Sequence, residues 1–156
     1  MPYRYQIHPD PGLLVMRYVG HTTMQDQRDL VTDVTSDPDW RFGLPMFLDS
    51  SQMTGTDITV LSLISLRDRF RPLFTQVDQP VLWAQYAPND LAFGMSRMTQ
   101  EIMDEIPTVN MEVFTDLSSA VTFLGVEGEV HGLLESIGIA ASDLSHGHAP
   151  VTLRRL

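Results

Sequence analysis

The chain contains no cysteine, which excludes disulfide staples, thiolate nucleophiles and thiolate metal sites. That absence fits a reducing compartment, and a cytoplasmic location is the expectation. Lysine is also missing: all ten basic residues are arginine, set against twenty acidic residues for a net charge of −10. A nucleic-acid binder needs a basic footprint to displace counterions, so the balance points away from nucleic acid and towards solubility. Long apolar runs are scarce. The longest, Ile58 to Leu66, spans nine residues and is broken by Thr59, Ser62 and Ser65, whereas a membrane-spanning helix takes about 20. Met1-Pro2-Tyr3-Arg4-Tyr5-Gln6 shows no apolar h-region, so no signal peptide is expected. The expectation is a soluble protein, at most peripheral to a membrane.

Motifs of catalysis are equally sparse. No Gly-x-Ser-x-Gly elbow, P-loop or complete Gly-x-Gly-x-x-Gly occurs. His8, His21, His131, His146 and His148 are scattered, and His146-Gly147-His148 lacks carboxylates at ligand spacing. Asp49-Ser50-Ser51 with a distant histidine can be drawn as a triad, as in almost any chain. No catalytic residue, metal or cofactor is therefore assigned, and a non-enzymatic protein is the expectation.

What is present is a regular alternation of elements. At 156 residues the chain has the length of one domain, and a domain of that size buries roughly 68–70% of its unfolded surface, enough for a core without staples. Tyr3 to His8 and Leu13 to Val19 read as strands joined by Pro9-Asp10-Pro11-Gly12, a turn in which proline presets φ and glycine permits a positive one. Thr22 and Gln25 have capping-box spacing before a helix that groups Met24, Val31 and Val34, with Leu30 beside them, and stops near Pro38. A short strand is predicted at Pro45 to Asp49, and a helix from an Asp57 cap to about Arg71, stopped by Pro72. Val81 to Ala87 is almost continuously apolar, the mark of a strand buried on both faces. The longest helix follows Pro88-Asn89-Asp90 and carries Leu91, Met95, Met98, Ile102 and Ile106 as a core-facing stripe. Burying five such side chains yields roughly 7–15 kcal/mol as an upper bound, which explains the stripe without a ligand. Gly94 within that helix costs about 1 kcal/mol relative to alanine, for which close packing is the expected compensation. A last strand, Asn110 to Phe114, leads to a helix capped by Asp116 and closed by Gly125.

The order β-β-α-β-α-β-α-β-α implies an α/β fold with a mixed, mostly parallel sheet and an antiparallel N-terminal hairpin at one edge. Residues 127–141, with Val130, Leu133, Leu134 and Ile137 on one side, are expected to add a C-terminal helix, and 142–156 a flexible tail.

This order, together with Ala87-Pro88-Asn89-Asp90-Leu91-Ala92-Phe93-Gly94-Met95-Ser96-Arg97-Met98 and with Leu48-Asp49 closing a strand, resembles the SpoIIAA-like family. The resemblance covers about residues 1–126. It implies a STAS-related fold akin to that of CRAL-TRIO lipid-binding domains. Relatives of that fold bind lipids or other small apolar ligands, or dock protein partners. STAS antagonists carry a phosphorylatable serine directly after the aspartate that opens the second helix; here Asp57 is followed by Ile58. Ile58 cannot accept a phosphate, whereas a phosphate on Thr56 or Thr59 would lie at the helix N-terminus, which makes Thr59 the candidate phosphorylation site.

Arg67, Arg69 and Arg71 form the one dense basic cluster, next to Leu63, Leu66, Phe70, Leu73 and Phe74. A solvated helix face explains such a run, and so does an interfacial helix. Asp49 at a strand's carboxyl end occupies the place where open α/β sheets bind ligands. The candidate ligand-binding residues are thus Asp49, Phe93, Arg67, Arg71 and Phe74. The leading expectation is a binding or regulatory module for a small apolar or amphipathic ligand, or an anionic lipid, at a membrane surface. The alternatives are a partner-switching protein-interaction module and, behind it, an enzyme of unrecognised class. A symmetric homodimer is the default oligomer, with no interface legible.

Overall fold

The computed structural model describes residues 2–126; the expected helix at 127–141 and tail at 142–156 lie outside them. Nine elements follow the expected order: β1 (Tyr3–His8), β2 (Leu13–Thr22), α1 (Met24–Thr35), β3 (Met46–Thr56), α2 (Val60–Thr75), β4 (Val81–Tyr86), α3 (Asp90–Met103), β5 (Val109–Phe114) and α4 (Leu117–Leu124). The sheet runs β1-β2-β3-β4-β5. β1 pairs antiparallel with β2, with Tyr3 opposite Tyr18 and His8 opposite Leu13, and β2 to β5 are parallel. The fold class is the one expected. The hairpin turn places Gly12 at φ +92°, a conformation that glycine adopts without cost, and its N–H returns to the His8 carbonyl at 3.0 Å.

Each parallel crossover steps to the next strand in the same direction. Right-handed connections therefore carry α1, α2 and α3 to one face and leave α4 for the other. The core clusters divide accordingly. Leu117, Ala120, Val121 and Leu124 of α4 pack on Leu13, Val15, Phe47, Ala84 and Tyr86. On the opposite face Leu30 and Val34 of α1 pack on Leu14, Met16, Tyr18, Met46 and Leu48, and Met103 and Ile106 pack on Val109 and Met111.

The structure corrects several boundaries. The capping box of α1 is Thr23 with Asp26, whose side chains exchange bonds with each other's backbone N–H at 3.1 and 2.8 Å, not Thr22 with Gln25. Thr22 is held in the sheet opposite Thr56, so the strand claims it and the cap moves one residue on. The same pairing extends β3 to Thr56. Asp49 consequently lies within the strand, not at its carboxyl end. The N-cap of α2 is Thr59, not Asp57, and the helix continues through Pro72 to Thr75. Pro72 has no N–H to offer the carbonyl four residues back, so the final turn of α2 lacks one backbone bond.

The stripe on α3 is the largest revision. Its buried face carries Ala92, Ser96, Gln100, Ile102 and Met103. Leu91 is 40% exposed, Met95 and Met98 are half-buried against the small Ile58–Leu63–Ile102 cluster, and Ile106 lies beyond the helix end. Polar anchors turn the helix. Gln100 Nε2 donates to the Met111 carbonyl at 2.7 Å and Gln85 Nε2 to Ser96 Oγ at 3.0 Å, two buried bonds that would be expensive to leave unmade. Gly94 is not explained by close packing either, since a Cβ added there would meet nothing within 4 Å.

A candidate ligand cavity beneath the second helix

Between the sheet and its three-helix cover lies a cavity of about 120 Å³. Its floor consists of Met16 and Tyr18 from β2, Met46 and Leu48 from β3, and Trp83 and Gln85 from β4. α2 forms the roof with Leu63, Leu66, Arg67, Phe70, Leu73 and Phe74. Gln27, Leu30 and Val31 of α1 close one side, and Thr99, Ile102 and Met103 of α3 the other.

α2 is held over this space near its start, at Arg67 and at its end. Near its start, Leu63 packs with Ile58 and Ile102. At its end, Phe74 stacks on Trp83 with ring centroids 6.2 Å apart and planes 17° from parallel, and the Thr108 hydroxyl donates to the Phe74 carbonyl. Arg67 Nη1 reaches Glu105 Oε2 at 2.6 Å and the Ile102 carbonyl at 3.4 Å, which ties the middle of α2 to the C-terminal end of α3. Leu66, Phe70 and Leu73, at helical spacing, face the cavity. Of the sixteen residues of α2 only Leu63 is buried, so this helix gives the least of its surface to the core.

The polar groups around the cavity are few and mostly engaged. Trp83 Nε1 donates to Gln85 Oε1 at 3.0 Å, while the Gln85 amide nitrogen is spent on Ser96. The Thr99 hydroxyl donates to the Met95 carbonyl at 3.0 Å. Arg67 Nε lies 3.0 Å from Asp68 Oδ1, and that contact holds the Asp68 carboxyl below its ordinary range. Burial pushes the Tyr18 hydroxyl well above the ordinary tyrosine range, with Asp26 and Tyr3 adding to the shift.

Of the residues singled out from sequence, the structure brings Arg67 and Phe74 to the cavity. Arg71 lies on the outer side of α2, its side chain 40% exposed and 3.4 Å from Asp68. Phe93 is 39% exposed on α3, outside the cavity lining. Asp49 sits on the α4 face of the sheet, opposite Arg17 in register and 2.8 Å from its Nε. Desolvation raises the Asp49 carboxyl above its ordinary range, against the lowering pull of Ser51 and then Arg17. Thr59 is an exposed N-cap whose hydroxyl accepts from the Ser62 N–H at 3.2 Å, and Ile58 beside it is a buried core residue. Sequence reasoning missed the floor. Gln85, an amide inside the otherwise apolar Val81–Ala87 run, was the available signal. Among the described residues no group of three or more histidines and carboxylates is placed to hold a metal ion, and no helix is long and apolar enough to cross a membrane.

No family model matches this sequence, and no curated protein matches it. Among solved structures, an uncharacterized protein of the DUF3478 family from Shewanella loihica PV-4, described as having a SpoIIAA-like fold, superposes with a TM-score of 0.50. The alignment covers 78% of this chain and 91% of that one, at 14% identity. The fold is SpoIIAA-like. At that identity the likeness reaches the fold alone, since one fold hosts many functions. The kinship to CRAL-TRIO domains inferred from the sequence gains no support from these comparisons. Within the SpoIIAA-like frame, the cavity lies on the three-helix face, between the sheet and its crossover helices.

Proposed function

We propose that this SpoIIAA-like protein is a non-enzymatic binding module whose cavity beneath α2 takes a small apolar or amphipathic molecule. The observation that carries this reading is a nearly apolar space of about 120 Å³ under a helix with a single buried residue. An engineered apolar cavity of about 150 Å³ holds benzene, so this somewhat smaller space is of the order that suits a compact apolar molecule. Chemistry has little to work with here. Arg67 and Tyr18 are the titratable groups in the lining, an arginine stays charged, and a tyrosine with a raised pKa is a poor acid or base at neutral pH.

The interfacial-helix reading of Arg67 to Phe74 is less well supported. Leu66, Phe70, Leu73 and Phe74 line the cavity, and the Arg67 side chain is 10% exposed. A phospho-switch has a weaker foothold as well, because Ile58 is buried at the position that would carry the serine.

The test uses Trp83, which floors the cavity, as reporter in a Trp40→Phe background. Titration with toluene is expected to change Trp83 emission saturably, and Leu66→Phe is expected to weaken that binding at least fivefold. A linear, non-saturating response that Leu66→Phe leaves unaltered would rule out occupancy of this cavity.

A further inference from the structure

The charge arrangement around the cavity bears on which molecules enter it. Arg67 is the one formally charged side chain in the lining among the described residues, and at first sight it invites a carboxylate or phosphate headgroup. Two of its three nitrogens are already engaged by acids: Nη1 is 2.6 Å from Glu105 Oε2 and Nε is 3.0 Å from Asp68 Oδ1. Asp68 is shared with Arg71 at 3.4 Å, so two carboxylates balance two guanidiniums and leave no net positive charge there. An arriving anion must displace Glu105 or share the site with both acids, in a chain that carries −10 overall. Of the other polar side chains in the lining, Tyr18, Gln27, Gln85 and Thr99, the last two are already engaged. Gln85 is bonded at both ends of its amide and Thr99 is bonded to its own helix. A ligand polar group placed deep against them would lose its water without a partner, a penalty of about 1–3 kcal/mol.

We infer that the cavity selects an uncharged, compact, hydrocarbon-rich ligand and rejects anionic amphiphiles, with Glu105 as the residue that sets this selectivity by neutralising Arg67. This rests on the binding reading above and narrows its ligand class. Glu105 acts through Arg67 and touches no ligand, so it is a specificity-determining residue at one remove. Its side chain is 66% exposed, so replacing it leaves the core intact.

The experiment compares toluene with benzoate, which have the same ring and differ in charge, on the wild-type protein and on Glu105→Gln, at 20 and 300 mM salt. Wild-type protein is expected to bind toluene at least tenfold more tightly than benzoate. That preference alone is not decisive, because hydration favours leaving any anion in water. The deciding result is Glu105→Gln, expected to raise benzoate affinity three- to tenfold at 20 mM salt and less at 300 mM, while toluene affinity stays within twofold. Benzoate binding to wild type as tightly as toluene, or no gain for benzoate in Glu105→Gln, overturns the inference while the cavity remains a binding site. If neither compound binds wild type, the binding reading falls and takes this inference with it.

Discussion

The two faces of the sheet are covered by helices that do different work. α4 is eight residues long and buries five of them, Leu117, Ser118, Ala120, Val121 and Leu124. α2 is sixteen residues long and buries one. Small residues at 118 and 120 let α4 lie close on Phe47, Ala84 and Tyr86, and its surface is consumed by the core. The long side chains of α2 meet Met16, Met46, Leu48 and Trp83 across a gap. A helix that seals a face gives stability, whereas one that bridges a space leaves room for another molecule.

That contrast breaks most visibly where the α4 face is cut. The Arg17–Asp49 pair lies on that face with Asp49 1% exposed, and removing one member of a buried pair costs about 3–5 kcal/mol. Asp49→Ala is expected to lower the denaturation midpoint accordingly, while the double change Arg17→Met with Asp49→Leu restores most of the loss. If Asp49→Ala costs under about 1 kcal/mol, the pair contributes nothing of the kind. Next, Leu117→Ala on α4 is expected to cost about 2–5 kcal/mol, as fully buried leucines do, whereas Leu66→Ala on α2 costs much less. Denaturant titrations of the two variants compare the faces directly, and equal losses would erase the contrast.

Filling sharpens it further. Ala120→Leu forces extra volume into a packed face and is expected to cost about 1–3 kcal/mol. Leu66→Phe grows into empty space and is expected to stabilise by about 0.5–2 kcal/mol. The smallest change concerns Gly94, whose position is open: Gly94→Ala is expected to stabilise by about 0.5–1 kcal/mol. Melting temperatures check all three.

The edge of the sheet has its own pH signature. The Tyr3 hydroxyl donates to Asp33 Oδ2, and that bond, with burial and the charge of Asp33, pushes its pKa from 10.0 to about 12. A proton held more tightly in the folded state stabilises it fully below the unfolded value. That contribution is then lost as pH climbs from about 10 to about 12. Tyr3→Phe is expected to reduce stability at pH 8 and to flatten the decline above pH 10.

Much of the frame was legible because the elements alternate cleanly and their caps and turns carry local signals: Asp116 and Gly125 bracket α4 as expected. Boundaries drifted where pairing overrode local signals, as at Thr22, which the sheet holds although its spacing suited a cap. The buried face of α3 was hidden for a different reason. Periodicity marks apolar residues as inward, yet here Ser96 and Gln100 go in and Leu91 comes out, because the partners that satisfy them, Gln85 and the Met111 carbonyl, come from other strands. The cavity could be anticipated only at its roof, through Arg67 and Phe74, since its floor is assembled from three strands. Asp49, attractive as a strand-end carboxylate, lies inside the strand because β3 runs on to Thr56, and strand alternation turns it to the other face as a core ion-pair member.

The central claim, an open apolar space between α2 and the sheet, is tested most directly by a crystal structure under xenon pressure, since xenon enters dry apolar cavities. Xenon is expected among Leu66, Phe70, Leu48 and Trp83, with none under α4. No xenon beneath α2, with its side chains closed down onto Met16 and Leu48, would contradict the account.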